Sequence, residues 1–459
     1  MLNLAGKTRL SHCYGNAEGE QVVVYCRGVL NVPVCSMRLA VVIPTRNRSD
    51  LALRAIGSVL PQLPDGSVVV VSDNSTQEQH ESTLRAYVQG LARDDVQYLR
   101  PPKDLAMPAH WEWALSQVAS IPSITHTTVL TDRMIFKQGA IDHLVDLIAE
   151  SPGSIISYNH DMVDDSSTPV RLHCAAWSGT TLEVTSARLL ELSAAMEQFM
   201  VLPRMLNCIV PIDHLQKIRA VFGNVFDSVA PDFCFAYRTL SQVDSILHLD
   251  ESLLLDGSIA RSNGHSYARG QLSRDHADFV AKLGGSSLNG AAPVPGFETV
   301  SNTITSEYEL IRRQTGLSRF LPVDMNAYFA RIEVEISEIH EPSLARKMRA
   351  LLHDHRGTPL AVPRSTWRLR LQRLPSQRPS YLLSVLLAAA VSSWPTKRLW
   401  RWVGAQPPRT RWFRFRDLEE AFEFAQSPGR RPSRTHPALR SLATPAGQTT
   451  AGQAKQQVP

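Results

Sequence analysis

The stretch that decides the fold is LAVVIPTRNRSD, residues 39–50, in which an apolar run ends abruptly in polar side chains. The run is continuous and rich in β-branched residues, as expected for a strand that is buried on both faces of a sheet. The polar residues turn the chain, and Ser49 or Asp50 is expected to cap a helix. Apolar residues recur at four-residue intervals from Leu51 to Val59, which gives that helix one buried face.

The same alternation of strand and helix continues along the chain. Apolar runs predict further strands at 67–76, 96–99, 126–131 and 154–159. Helices are predicted between them, around Leu84 to Leu91, at 108–120 and at 138–151. Strands that alternate with helices of this length indicate βαβ units. The predicted fold class is therefore α/β, with a mostly parallel, Rossmann-like sheet flanked by helices.

In such a sheet, ligands bind just beyond the carboxyl ends of the strands. Polar or charged residues stand at three such places: Pro44, Thr45 and Arg46; Asp73; and Asp132 with Arg133. No glycine-rich dinucleotide or P-loop motif accompanies them, so those two kinds of site lack support. Asp73 could accept hydrogen bonds from a base or a ribose, and an Asx turn at the strand exit is the alternative.

Four segments, in this order, resemble glycosyltransferase family 2: VVIPTRNR, VVVVSDNST, DLAMPAHWEWAL and VLTDRMIFKQGAI. The resemblance extends from about Met37 to Gly270 and depends on the ordered set, since each piece alone is weak. His110 stands where a subgroup of the family has Asn. The resemblance implies the GT-A fold, which binds nucleotide-sugar donors.

The resemblance also implies roles for residues at the donor end of the site. Thr45 and Arg46, next to Pro44, match residues that line the nucleotide pocket. Asp73 matches the carboxylate that recognises the base. The Thr-Asp-Arg sequence that begins at Thr131 occupies the place of an acidic cluster whose members bind the ribose and a divalent cation.

Only Asp132 of that acidic cluster is present, and Arg133 stands at a position that is acidic in the family. Two alternatives follow. Asp132 could hold Mg²⁺ or Mn²⁺ together with phosphate oxygens and water. The Arg133 guanidinium could instead neutralise the diphosphate, because Arg binds phosphate bidentately and stays charged.

An inverting transferase needs a base for the acceptor hydroxyl, and in this family that acid lies near the start of a helix after the central strands. The segment SVAPDFCFAYRTL, residues 228–240, matches this description, which makes Asp232 the candidate catalytic base. An acid favoured by the helix dipole is the alternative. The loop SNGHS, residues 262–266, resembles a donor-contacting loop, so His265 is a predicted nucleotide-sugar-binding residue unless it faces solvent.

The net charge of +5 is unevenly distributed, because residues 356–459 carry 18 Lys/Arg against 4 Asp/Glu. The apolar run at 381–394 is too short to cross a bilayer. Its flanking Arg, Lys and Trp residues suit an interfacial membrane anchor, and an ordinary buried helix is the alternative. Nucleic-acid binding lacks a zinc, helix-turn-helix or aromatic-sheet signature.

These observations predict five regions: an extension at 1–36, a GT-A domain at 37–270, a linker and helices at 271–375, an apolar and basic segment at 376–425, and a disordered tail at 426–459. Six cysteines without a C-x-x-C spacing and no signal pattern favour a cytoplasmic location. The basic C-terminal segment adds an expected peripheral contact with a membrane. The predicted function is transfer of a sugar from a nucleoside diphosphate sugar to a hydroxyl of a glycan, polysaccharide or lipid-linked sugar, with inversion. A catalytically silent nucleotide-sugar-binding protein is the alternative.

Overall fold

The computed structural model describes residues 37–166, 168–174, 179–197, 201–257, 261, 281–282, 290–295, 299–339, 341–356 and 411–426. Several sequence predictions lie outside these residues. They are the extension at 1–36, His265, the apolar run at 381–394 and nearly all of the tail at 426–459. The domain boundaries stay predictions.

The first half of the sheet is parallel, as predicted. Its strands lie in the order β3-β2-β1-β4, with bounds β1 (Leu39–Thr45), β2 (Val68–Asp73), β3 (Val96–Leu99) and β4 (His126–Val129). The connecting helices are α1 (Ser49–Val59), α2 (Glu78–Gly90) and α3 (Met107–Ala119). All of β1 is buried, and its side chains alternate between two cores, with Val42 in one and Val41 in the other. The βαβ prediction is confirmed here.

The expected cap of α1 is wrong. Arg48 occupies the N-cap position without a side-chain hydrogen bond to the helix, and Ser49 is already the first helical residue. The Ser49 hydroxyl lies 2.9 Å from Nδ1 of His80 on α2. The side chain therefore ties two helices together instead of capping its own.

The second half of the sheet is mixed, which corrects the prediction of a mostly parallel sheet. Its strands are β5 (Met134–Phe136), β6 (Ile156–Asp164), β7 (Val170–Cys174), β8 (Thr181–Thr185), β9 (Cys208–Pro211) and β10 (Ser245–Asp256). Strand β9 is antiparallel to β4 and β6, β7 is antiparallel to β6, and β10 is parallel to β6 but antiparallel to β5 and β8. Only a short loop joins β6 to β7, too short for the crossover that a parallel pair needs.

The remaining helices cover the sheet and extend it into a helical region. Their bounds are α4 (Ala140–Glu150), α5 (Ser186–Ala194), α6 (Ile212–Phe222), α7 (Pro231–Gln242), α8 (Val300–Thr315), α9 (Met325–Glu338) and α10 (Pro342–Arg356). Helix α8 packs on α7, where the rings of Tyr308 and Tyr237 meet edge to face at 5.3 Å. The predicted C-terminal helical region is confirmed over α9 and α10, and α8 was not foreseen. No helix in the described part of the chain is long and apolar enough to span a bilayer.

A last strand and helix return to the sheet from far along the chain. Strand β11 (Arg411–Phe415) pairs antiparallel with β7 at the edge of the sheet, and α11 (Leu418–Gln426) packs beside it. Phe415 and Phe422 are buried in a cluster with Leu255 of β10. Residues 411–425 of the predicted apolar and basic segment thus belong to the fold, because their aromatic side chains are used in packing.

Candidate active site

A single cavity of about 380 Å³ lies beyond the carboxyl ends of β1, β2 and β4. It gathers six of the eight predicted site residues: Pro44, Thr45, Arg46, Asp132, Arg133 and Asp232. Of the other two, Asp73 does not line the cavity and His265 lies outside the described residues. The rule that ligands gather at strand ends therefore located most of the candidate site.

Asp132 sits at the floor of this cavity, just after β4. Its side chain is only 6% exposed, and the Thr45 hydroxyl donates to its Oδ2 at 3.0 Å. A guanidinium nitrogen of Arg48 lies 3.6 Å from Oδ1. The carboxylate is thus fixed between the end of β1 and the start of α1, with its charge balanced by Arg48.

Arg133 lines the same cavity as Asp132, although neighbours on a strand point to opposite faces. Strand β4 ends at Val129, and the chain turns at these two residues, so the alternation of strand side chains no longer applies. The Arg133 guanidinium donates to Asp256 Oδ1 at 2.7 Å and to the carbonyl oxygen of Gly257 at 3.1 Å. The arginine therefore faces inward, which sequence spacing alone left open.

The charges that line the cavity favour an anionic ligand. Among the described lining residues, the basic side chains outnumber the carboxylates by five to three: Arg46, Arg48, Arg133, Arg204 and Lys282 against Asp132, Asp232 and Asp256. Nε of Arg204 and Nδ1 of His160 are buried without a hydrogen-bond partner among the described residues. A buried donor without a partner costs free energy that a bound anion recovers. A diphosphate has the charge and the oxygens to do so.

The described lining residues offer few protein ligands for a divalent cation. Such an ion needs several oxygen ligands, and the described residues contain no group of three or more His, Cys, Asp or Glu that could hold one. Asp132 faces Arg48, and Asp256 is paired with Arg133. A cation placed at either carboxylate would be repelled by the neighbouring guanidinium group.

Asp232 lines the same cavity as Asp132. It is the second residue of α7, and the wall around it includes Phe233 and, from α8, Val300 and Ile304. Burial raises the pKa of the Asp232 carboxyl above its usual value, and the nearby Arg204 partly opposes this shift. A carboxylate in such surroundings binds a proton more readily than one in water.

Comparison with known proteins places part of the chain in a family. Residues 40–201 match the family model described as glycosyl transferase family 2. The matched segment belongs to glycosyl transferase family 2. This family 2 segment runs from β1 through α5 and contains Asp73, Asp132 and Arg133, whereas Asp232 lies beyond it. The GT-A type of α/β fold that the sequence resemblance implied is confirmed.

Solved structures with similarity to this chain include S. aureus TarS 1–349, at 14% identity and a TM-score of 0.38, covering 74% of this chain and 93% of that one. The complex of TarS 1–349 with UDP-GlcNAc aligns at 15% identity and a TM-score of 0.40, covering 73% and 92% of the two chains. A search of curated proteins found no significant match. These similarities are too low to assign a ligand to this chain.

Asp73 of the family 2 segment is fully buried at the end of β2. Its Oδ1 accepts a hydrogen bond from the backbone N–H of Ser75 at 2.8 Å, as in an Asx turn, and its Oδ2 accepts one from the Tyr98 hydroxyl at 2.8 Å. The next residue, Asn74, lines the cavity instead. The Asx-turn alternative is thus present, and base recognition by Asp73 stays a prediction.

Glu112 lies outside the cavity and supports it through hydrogen bonds, a role that the sequence did not single out. Its Oε2 accepts hydrogen bonds from the backbone N–H groups of Val225 and Phe226, at 2.8 and 2.9 Å, and its Oε1 accepts one from Nε of Arg219 at 2.9 Å. The two amides belong to the loop that leads into α7. Glu112 therefore fixes the approach to the helix that carries Asp232.

The buried histidines of this protein make its stability sensitive to acid. Burial lowers the pKa of His110, His160, His214 and His248 to about 4 each. The unfolded chain takes up these protons near pH 6.5, so stability is present above that pH and is lost as the pH falls towards 4. Burial raises the pKa of Glu307 to about 8 and also raises the pKa of Asp232, which acts in the opposite direction but involves only two protons.

We therefore expect the melting temperature to fall by several degrees between pH 7 and pH 5 at constant ionic strength, as measured by circular dichroism. A melting temperature that is constant or rises over this range would contradict the assignment of these four histidines as neutral in the folded state.

Proposed function

We propose that this protein transfers a sugar from a nucleoside diphosphate sugar to a hydroxyl group of a glycan, polysaccharide or lipid-linked acceptor, with inversion at the anomeric carbon. The observation that carries the proposal is the shared cavity, which is lined both by the Asp132–Arg133 pair and by Asp232. Its basic side chains suit a diphosphate, and Asp232 adds a carboxylate with a raised pKa.

The nucleotide-sugar donor is proposed to bind among the basic side chains that line the cavity. Its diphosphate would lie among Arg48, Arg133 and Arg204, whose guanidinium groups can each offer paired N–H donors to phosphate oxygens. Thr45 and Asp132 already form a hydrogen bond there, and the Asp132 carboxylate can accept another from a ribose hydroxyl. His160, whose Nδ1 is buried, is a further proposed contact to the nucleotide sugar that sequence reasoning missed.

The acceptor is proposed to enter beside Asp232. The Asp232 carboxylate takes the proton of the acceptor hydroxyl as its oxygen forms a bond to the anomeric carbon. The bond between that carbon and the diphosphate oxygen breaks at the same time, and its electron pair leaves with the diphosphate. The arginines then stabilise the charge that develops on the leaving group.

We further propose that this charge is neutralised by the arginines without an obligatory divalent cation. Support comes from the pairing of both donor-end carboxylates with guanidinium groups and from the inward orientation of Arg133.

A thermal-shift screen of nucleoside diphosphate sugars, with each sugar and base varied separately, tests the proposal. A ligand present at a hundred times its Kd should raise the melting temperature by roughly 3–5 °C. Transfer is then assayed with the donor that binds. Binding without hydrolysis or transfer to any acceptor would favour the silent binding protein, and stabilisation by none of the donors would contradict both functions.

A further inference from the structure

We propose that the C-terminal strand and helix, β11 and α11, are a positioning part of the donor site, in which Phe422 holds the Arg133–Asp256 pair in place through Gly257. The inference rests on the proposed function, because it takes this pair to face the diphosphate of the donor. It extends the site to a part of the chain that lies more than 200 residues beyond the family 2 match.

Strand β11 is firmly integrated into the sheet. It pairs with the whole of β7, from Arg411 opposite Cys174 to Phe415 opposite Val170. In the helix that follows β11, Glu419 of α11 forms an ion pair with Arg54 of α1. The segment is therefore attached both to the edge of the sheet and to the first helix of the family 2 domain.

Helix α11 shares a buried apolar cluster with two strands that carry cavity-lining residues. Ala421 and Phe422 are buried against Ile135 of β5 and Leu255 of β10. Ile135 follows Met134 in sequence, and Leu255 precedes Asp256, and both of those neighbours line the cavity. The apolar cluster of α11 thus lies one residue away from the cavity wall on each of two paired strands.

The closest approach between α11 and the site is at Gly257. A Cβ atom at this position would lie 2.6 Å from Cζ and 3.0 Å from Cε1 of Phe422. Gly257 is not among the described glycines with a positive φ, so its backbone does not require glycine. The absence of a side chain is needed here because the ring of Phe422 occupies the space.

Gly257 is in turn bonded twice to Arg133. Its carbonyl oxygen accepts from the Arg133 guanidinium at 3.1 Å, and its N–H donates to the Arg133 carbonyl oxygen at 3.1 Å. The same guanidinium holds Asp256 at 2.7 Å. A displacement of Gly257 must therefore move the guanidinium that faces the cavity, which gives Phe422 an effect on the ligand without touching it.

The test compares Gly257→Ala, Phe422→Ala and the double variant in the full-length protein. The probes are inorganic pyrophosphate and the nucleoside diphosphate that stabilises the protein best, with Kd measured by calorimetry. Gly257→Ala is expected to raise both Kd values on the order of tenfold or more, because a misplaced charge loses its contacts. Adding Phe422→Ala should recover most of that loss, since the smaller side chain leaves room for the new methyl group.

Two further measurements separate positioning from general destabilisation. The affinity for the parent nucleoside, which lacks phosphates, should change less than twofold in all variants, a readout that simple unfolding would not spare. Gly90→Ala is the matched control, because nothing lies within 4 Å of a Cβ at that exposed position on α2. Phe422→Leu provides a milder variant that keeps apolar bulk if Phe422→Ala fails to fold.

Unchanged pyrophosphate affinity in Gly257→Ala, or losses that simply add in the double variant, would overturn this inference while leaving the proposed function intact. Failure of the wild-type protein to bind any nucleoside diphosphate sugar or pyrophosphate would instead overturn both.

Discussion

Replacing Asp232 with Asn is expected to lower kcat by about 10²–10⁴-fold while the Kd of the donor changes little. The amide keeps the shape of the side chain but cannot take a proton from the acceptor hydroxyl. The proposed donor contacts, Arg48, Arg133 and Arg204, are separate side chains that this substitution leaves unchanged. Steady-state kinetics with the donor found in the thermal-shift screen, together with calorimetric donor binding, measure the two quantities.

Asp213→Asn is the matched control for this variant. Asp213 also lies in the first turn of a helix, α6, but it is exposed and does not line the cavity. A helix-dipole role would make the two substitutions equivalent, with a small loss of stability and normal turnover in both. Near-normal turnover in Asp232→Asn would therefore contradict its role as the base and favour that alternative.

The pH dependence of kcat/KM gives a second readout of the same residue. A base must be ionised to accept a proton, so activity falls as the pH drops through the pKa of Asp232. Burial raises that pKa, which places the acidic limb above the ordinary value of 3.8. Loss of this limb in the residual activity of Asp232→Asn would identify Asp232 as the group that titrates.

The strand ends were predictable because they depend on a local pattern. A continuous apolar run such as 39–44 indicates a strand buried on both faces, and the polar residues that follow it must emerge at the edge of the sheet. This pattern predicts Thr45, Asp132 and Arg133 at strand ends, and the structure brings them together in one cavity. The orientation of Arg133 could not be predicted, because it depends on where β4 ends.

Contacts between distant parts of the chain were not predictable from one sequence. Glu112 was visible in the motif Trp-Glu-Trp, but its partners, the amides of Val225 and Phe226, lie more than 110 residues away. The same holds for β11. RWFRF, residues 411–415, alternates basic and aromatic residues as an edge strand does, yet its basic character and position favoured a membrane surface. Only the pairing with β7 decides between the two.

The second large effect concerns the pair Asp132 and Arg133. We expect Asp132→Ala to lower kcat/KM by at least about a hundredfold, because it removes a donor contact and leaves Arg48 without its partner charge. Arg133→Lys is expected to cost on the order of tenfold or more, since an ammonium keeps the charge but cannot reproduce a planar guanidinium that holds Asp256 and Gly257 through Nη1 and is proposed to face the diphosphate. Asp142→Ala and Arg93→Lys, at exposed positions away from the cavity, are the matched controls.

The same assay run in excess EDTA decides between arginine and metal. If the guanidinium groups neutralise the leaving diphosphate, kcat/KM in EDTA stays within about twofold of the untreated enzyme, and Arg133→Lys remains defective when Mg²⁺ or Mn²⁺ is added. A cation held by Asp132 would give the reverse pattern, in which EDTA abolishes transfer, Mn²⁺ restores it and Arg133→Lys is nearly normal. The two charges cannot both dominate at one carboxylate, because a dication beside Asp132 must displace Arg48 from its 3.6 Å contact and overcome the repulsion of Arg133.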